Sequence, residues 1–130
     1  MPSTPFIACV EDDPSVCEAI VRFLDALDLA AEAYFSAEEF LQSSRLEQVQ
    51  CLITDVNLKG MSGLQLQDRL VATGHAIPTI VITGFPDEGV RRRALDGGAI
   101  CFLSKPVATE DLLACIRKAL ALRSGKDVSP

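Results

Sequence analysis

The chain has 130 residues, 48% hydrophobic and 23% charged, which predicts one globular domain with no room for an attached DNA-binding domain and excludes extensive disorder. Its net charge of −6 is concentrated in residues 1–50, where ten acidic and two basic side chains would repel a nucleic-acid backbone, so direct nucleic-acid binding is not expected. No apolar run approaches the ~20 residues of a membrane span, and no basic residue precedes the first apolar run, so neither membrane contact nor a secretory signal is expected.

Short apolar runs alternate along the chain with longer stretches in which apolar residues recur at helical spacing. The run at 5–10 predicts a buried strand, and the pattern over 14–27 predicts a helix with Asp13 as its N-cap. Residues 30–34 are a weaker strand candidate. The segment 36–39 matches a capping box, which predicts the start of a short helix.

The same alternation continues along the rest of the chain. Further strands are predicted over 51–54, 78–83 and 99–103, and further helices over 64–71, 86–96 and 109–120. Continuously apolar strands are buried on both faces, which is typical of a parallel sheet. Five strands alternating with five helices therefore predict a doubly wound α/β domain over residues 1–123. Residues 124–130 are expected to form a polar tail or the start of a linker.

The cysteine content is an odd number, and no two cysteines form a Cys-x-x-Cys pair. Most of them lie inside apolar runs, away from the single histidine, His75. We therefore expect every cysteine to be a small buried hydrophobic residue in a reducing cytosol, rather than a metal ligand or a disulfide partner. The five are Cys9, Cys17, Cys51, Cys101 and Cys115.

Polar residues gather where the predicted strands end. Glu11 and Asp12 follow the first strand, Asp55 the third, Thr83 the fourth and Lys105 the fifth. Ligands of such sheets bind beyond the carboxyl ends of the strands. Clustered carboxylates repel one another unless a cation joins them, and oxygen ligands without His or Cys favour Mg²⁺. We therefore predict that Asp55 accepts a phosphoryl group beside Mg²⁺ held at Glu11 and Asp12.

The residues fit three other functions less well. A flavodoxin-like flavin carrier needs a hydroxyl- and glycine-rich phosphate loop after the first strand, where this chain has acidic residues. A phosphatase with an aspartate nucleophile needs an acid two residues after it, where this chain has Asn57. A purely structural interaction module would not need the acidic residues, the threonine and the lysine together.

The chain resembles the receiver domain of bacterial two-component response regulators over about residues 5–122, and its motifs are most similar to those of the FixJ-like subgroup. The resemblance rests on the segment from Val10 to Val16, the strand-end Asp55, Met61-Ser62-Gly63, Ile82-Thr83-Gly84 and Lys105-Pro106. It implies a flavodoxin-like, five-stranded parallel sheet in the order 2-1-3-4-5, with helices on both faces. It also implies a cis peptide bond before Pro106.

The resemblance implies a role for each residue of the site. Asp55 is expected to be the phosphoacceptor, Thr83 the switch hydroxyl, Phe102 the switch aromatic and Lys105 the phosphate-binding lysine. Mg²⁺ or Mn²⁺ is expected to bind a ligand set made of Glu11, Asp12, Asp55 and the backbone carbonyl of Asn57. Lys59 departs from the usual pattern, because it adds a positive charge to the loop after Asp55.

The implied function is a phosphorylation switch that assists its own phosphorylation and dephosphorylation, not an enzyme with an external substrate. A cytoplasmic sensor histidine kinase or phosphotransfer protein would supply the phosphoryl group. The surface of the fourth helix, fifth strand and fifth helix, about residues 86–122, would then act on an effector domain or a downstream protein. Three points stay open: a phosphorylation-dependent homodimer, transcription regulation as the output, and whether the chain stands alone or is part of a longer regulator.

Overall fold

A computed structural model of the chain describes residues 5–128, and the side chains of residues 5–122. Its five strands form one parallel sheet in the order β2-β1-β3-β4-β5, so the implied strand order is confirmed. The strands are β1 (Phe6–Val10), β2 (Ala30–Tyr34), β3 (Cys51–Asp55), β4 (Thr79–Thr83) and β5 (Cys101–Ser104).

Five α-helices connect and follow these strands, and a 3₁₀ turn over Leu46–Gln48 precedes β3. Among residues 5–128, no helix has both the length and the apolar character needed to cross a bilayer. The helices are α1 (Pro14–Ala26), α2 (Ala37–Leu41), α3 (Gly63–Ala72), α4 (Glu88–Asp96) and α5 (Thr109–Val128).

The helix α5 is longer than predicted, because it continues through most of the segment expected to be a polar tail. No proline interrupts the sequence between Thr109 and Pro130, so nothing in that stretch removes a main-chain donor from a helix. The last two residues of the expected tail, 129 and 130, lie outside the described residues.

Side-chain caps fix where the helices begin. Asp13 accepts a hydrogen bond from the Ser15 N–H, and Ser36 accepts one from the Glu39 N–H, as the sequence predicted. The Glu39 carboxylate accepts from the Phe35 N–H and so does not close the predicted box on Ser36 itself. A capping box that was not predicted stands at the start of α3, where Ser62 and Gln65 bond each other's main chain (Ser62 as acceptor from the Gln65 N–H).

The sheet separates two layers of core. Ile7, Ile53 and Ile82 face α1 and α5, whereas Ala8 and Leu52 face α2 and α3. All five of these side chains are fully buried. Burying an aliphatic side chain contributes roughly 1.5–3 kcal/mol, so these central strands are a rigid support for the residues at their carboxyl ends.

The cysteines behave differently from one another, and the prediction that none forms a disulfide was wrong for two of them. Cys9, Cys17 and Cys51 are free and buried, as expected. Cys101 in β5 and Cys115 in α5 form a disulfide, with their Cα atoms 6.2 Å apart. The two residues are separated by 14 positions and meet only because α5 packs back against the sheet. Their spacing in the sequence therefore could not indicate the pairing.

Candidate functional site

The predicted site residues meet at one edge of the sheet. Glu11 directly follows β1, Asp55 ends β3, Thr83 ends β4 and Lys105 directly follows β5. The strands are parallel, so their carboxyl ends all lie at this edge. The peptide bond between Lys105 and Pro106 is cis, as the resemblance implied.

Three carboxylates form the centre of the site. One oxygen from each of Glu11, Asp12 and Asp55 lies within 4.8 Å of the other two. Glu11 and Asp55 are 0% and 4% exposed, and Asp12 is half-buried. Negative charges repel strongly at this separation where water is largely excluded, so the arrangement requires positive charge between them.

Lys105 supplies part of that positive charge. Its Nζ donates a hydrogen bond to Asp55 Oδ2 at 2.8 Å and forms an ion pair with Glu11 Oε1 at 2.7 Å. Burial lowers the pKa of Lys105, but its contacts with Asp55 and Glu11 outweigh burial and raise the pKa overall. Lys105 is therefore a fixed cation at the edge of the sheet.

Glu11 lacks part of the stabilisation that a buried carboxylate needs. Burial raises its pKa, and this outweighs the contacts with Lys105 and with the Asp13 N–H that lower it. Among residues 5–122, the buried Oε1 atom accepts no regular hydrogen bond, and its one charged contact is the ion pair with Lys105 Nζ at 2.7 Å. Burying a carboxylate oxygen costs free energy, which hydrogen bonds or a bound cation offset.

A hard divalent cation fits this donor set. The donors are all carboxylate oxygens, they are close enough to share one ion, and Glu11 Oε1 accepts no hydrogen bond from the described residues. Mg²⁺ commonly binds one or two carboxylates and keeps several waters, whereas zinc prefers His and Cys ligands. The main chain of Asn57 lies beside the same site, since its N–H donates to Asp55 Oδ1 at 3.1 Å.

Thr83 lies in the site, but its hydroxyl is engaged elsewhere. The residue is fully buried, and its Oγ1 accepts hydrogen bonds from the Phe85 N–H at 3.0 Å and from Asn57 Nδ2 at 3.1 Å. The side-chain bond from Asn57 was not predicted. It links the loop after β3 to the end of β4.

Phe102 is set apart from the carboxylates. It pairs with Val81 in the β4–β5 register, two positions before the pair formed by Thr83 and Ser104. Its half-buried ring packs against a cluster that includes Val81, Ala94 and Ala99. Phe102 therefore connects β5 with α4 and does not contribute to the charged site.

Two carboxylates bind the main chain of the loop after β3, and only one of them, that of Asp12, was predicted to belong to the site. Asp12 Oδ2 accepts from the Lys59 N–H at 3.0 Å, and Glu38 Oε2 accepts from the Met61 N–H at 2.9 Å. Gly60, between them, has a φ of 77°, and a Cβ there would lie 2.8 Å from Glu38 Oε2. Glu38 sits in a capping segment, so its sequence context indicated only a helix start.

Gly63 is needed where α3 begins. A Cβ at this position would overlap the main-chain carbonyl oxygen of Asp55. The Gly63 N–H also donates to the Val56 carbonyl at 3.0 Å, which draws the start of α3 against the end of β3. This close approach gives a physical reason for the Met61-Ser62-Gly63 motif.

Comparisons with known proteins agree with this geometry. A sequence profile described as "Response regulator receiver domain" matches residues 7–117. Response regulator protein TmoT from Ectopseudomonas mendocina is 40% identical over 116 residues, which are 89% of this chain and 53% of that protein. Transcriptional regulatory protein FixJ from Azorhizobium caulinodans is 33% identical over 120 residues, which are 92% of this chain and 57% of that protein.

A solved structure of response regulator StyR has a TM-score of 0.88 and 36% sequence identity to the chain. The match covers 96% of this chain and 63% of StyR. The chain spans about half the length of the curated relatives it matches.

Proposed function

Because the chain belongs to the response regulator receiver domain family, we propose that it accepts a phosphoryl group on Asp55 and passes on the resulting change in shape. Domains of this family are signalling modules of two-component systems, and they interact with histidine kinases and effector domains. Family membership favours this function over a flavin carrier, a phosphatase or a structural module.

The observation that carries the proposal is the environment of the Asp55 carboxylate. Lys105 Nζ bonds one of its oxygens and the Asn57 N–H bonds the other, and two further carboxylates lie beside it. A carboxylate oxygen of Asp55 attacks the phosphorus of a phosphohistidine, the P–N bond breaks, and the leaving imidazole takes a proton. Such a transfer needs mainly positioning and neutralisation of phosphoryl oxygens.

Each neighbouring residue has a proposed part in this transfer. Lys105 neutralises one phosphoryl oxygen and the Thr83 hydroxyl donates to another. Mg²⁺ or Mn²⁺ is proposed to bind at the predicted ligand set and, when bound, neutralises charge on the phosphoryl group. The same groups support slow hydrolysis of the aspartyl phosphate, so the domain assists its own dephosphorylation. The ligand set is Glu11, Asp12, Asp55 and the Asn57 backbone carbonyl.

The proposed output is a change in the surface formed by α4, β5 and α5, from Glu88 to Leu122, which we call the α4–β5–α5 surface. When Thr83 turns to the phosphoryl group, its bonds with Asn57 and Phe85 are lost, and Phe102 repacks against α4. A cytoplasmic sensor kinase or phosphotransfer protein donates the phosphoryl group. The altered surface then binds an effector domain or a downstream protein, including one that regulates transcription. Residues 1–123 are proposed to be sufficient for this switch.

Intact-mass spectrometry after incubation with acetyl phosphate and Mg²⁺ tests the proposal. We expect one added phosphoryl group on the wild-type chain and none on Asp55→Asn or without the metal. Asp25→Asn makes the same chemical change on the exposed face of α1 and should be phosphorylated like the wild type. An adduct that persists in Asp55→Asn, or no adduct on the folded wild-type chain, would contradict the proposal.

A further inference from the structure

We propose that Cys101 and Cys115 are a redox modification site, at which a hydroperoxide forms a disulfide that ties α5 to β5 and a dithiol reductant removes it. The existence of this site does not depend on phosphorylation. Its regulatory consequence rests on the proposed function, because the two cysteines belong to β5 and α5, two of the elements whose surface phosphorylation is proposed to change.

The position of the pair is the first argument. Cys101 is the first residue of β5, and Cys115 lies in the middle of α5 with its side chain toward the sheet. Cys101 is half-buried and Cys115 is 7% exposed, so the bond lies near the surface of the layer between β5 and α5. It is the only disulfide among residues 5–122, since the other three cysteines are free.

A second pair of cysteines in the same core layer shows why an oxidant would react with Cys101 and Cys115 first. Cys9 in β1 and Cys17 in α1 also connect a strand with a helix, but their sulfurs are 3.9 Å apart and not bonded. Both are at most 1% exposed. A small oxidant therefore reaches Cys101 more easily than either member of the buried pair.

The loop that the disulfide closes contains residues of the proposed switch. Between Cys101 and Cys115 lie Phe102, which packs against the cluster under α4, and Lys105, whose Nζ contacts Asp55 and Glu11. With both ends of this 14-residue separation fixed, β5 and α5 cannot move apart. The oxidised chain therefore has less freedom to repack Phe102 when Asp55 is phosphorylated.

A hydroperoxide can serve as the oxidant that forms the disulfide. One thiol attacks the peroxide, the O–O bond breaks, and a sulfenic acid and water (or an alcohol) form. The second thiol attacks the sulfenic sulfur, forming the S–S bond and releasing water. A dithiol reductant reverses this through a mixed disulfide and is itself oxidised. Disulfides that form in a reducing cytosol are usually transient or redox-sensing, which fits a reversible site.

Counting free thiols after hydrogen peroxide treatment tests the site itself. The protein is denatured without reductant and alkylated, and the label is counted by mass. We expect three labelled cysteines in the oxidised wild type and five after reduction, with peptide mapping placing the bond between Cys101 and Cys115. Cys51→Ala, which changes a buried unpaired cysteine of the same layer, should keep the bond. Five labelled cysteines after peroxide, or a bond between other residues, would overturn the site.

Amide hydrogen exchange tests the regulatory consequence. The change in exchange over residues 101–116 caused by acetyl phosphate and Mg²⁺ should be at least twofold smaller in the oxidised chain than in the reduced one. Cys101→Ser/Cys115→Ser should show no effect of peroxide on that change, and Cys51→Ala should behave like the wild type. An equal change in both redox states would overturn the regulation.

These two experiments separate this inference from the proposed function. If no phosphoryl adduct forms in either redox state, the proposed function fails and the regulation fails with it. The thiol count does not use phosphorylation, so it still decides whether Cys101 and Cys115 are a redox modification site.

Discussion

The strand that carries the acceptor and the surface proposed to respond to it are packed very differently. β3 is buried at all five positions and ends in Asp55, whereas β5 is half-buried and ends in an exposed Ser104. In α4, only Ala94 of nine residues is buried. Local opening costs less where fewer side chains are buried, so α4 and β5 should move more easily than β3.

This contrast fits a switch in which one region does chemistry and another changes shape. A phosphoryl acceptor must be held in fixed relation to its neighbours, and the buried β1 and β3 strands hold Glu11 and Asp55 in this way. A responding surface needs two arrangements of similar free energy. Thr83 and Lys105 stand between the regions, since the Lys105 N–H bonds the Thr83 carbonyl at 2.8 Å.

The largest expected effect is on stability and compares the two strands directly. Ile53→Ala in β3 should lower the free energy of unfolding by about 2–5 kcal/mol, because it leaves a cavity in a fully buried layer. Leu103→Ala in β5 faces the same layer but is half-buried, so it should cost less than half as much. Urea unfolding of both variants measures the two free-energy losses. Equal losses would contradict the proposed difference in packing between β3 and β5.

A smaller effect is expected where α4 is held to α3. The buried Gln67 Nε2 donates to the Ala94 carbonyl at 2.8 Å. Gln67→Ala removes this hydrogen bond but leaves the Ala94 carbonyl bonded to the Ala99 N–H, so it should lower the free energy of unfolding by roughly 0.5–1.5 kcal/mol. It should also speed amide exchange in α4 more than in β3. Arg92→Ala, on the exposed face of α4, should leave both properties nearly unchanged, and exchange that rises equally in β3 would contradict this role.

The smallest expected effect is a pH dependence of metal binding at the site that contains Asp55. Burial raises the pKa of Glu11, so this carboxyl binds a proton at a higher pH than an ordinary glutamate. Metal binding needs the carboxylate form, so the rise in melting temperature caused by Mg²⁺ should shrink between pH 7 and pH 5.5. In Glu11→Gln the rise should be smaller and depend less on pH over that range. A rise in Glu11→Gln that is as large and as pH-dependent as in the wild type would show that Glu11 does not bind the ion.

Much of the fold followed from local pattern. Continuous apolar runs marked β1, β3 and β4, and the caps at Asp13 and Ser36 marked two helix starts. The parallel arrangement then brought the strand-end residues to one edge. Strand order did not follow from the pattern, because several orders satisfy right-handed connections, and it was supplied by the resemblance.

The features that were missed all depend on contacts between distant parts of the chain. Cys101 and Cys115 come together only when α5 packs on the sheet. Gln67 is a polar residue that would be expected to face solvent, and only the packing of α4 gives its side chain the Ala94 carbonyl as a partner. The sequence around Glu38 indicates only a helix start, whereas its carboxylate accepts a hydrogen bond from the loop after Asp55. Local periodicity carries no information about such pairings.

Amide hydrogen exchange of the reduced chain, with and without acetyl phosphate and Mg²⁺, tests the central claim most directly. We expect acetyl phosphate to change exchange mainly over residues 86–116, to leave residues 6–10 and 51–55 nearly unchanged, and to have no effect in Asp55→Asn. A change of equal size in β1 and β3, or the same change in Asp55→Asn, would contradict a rigid acceptor that drives a looser responding surface.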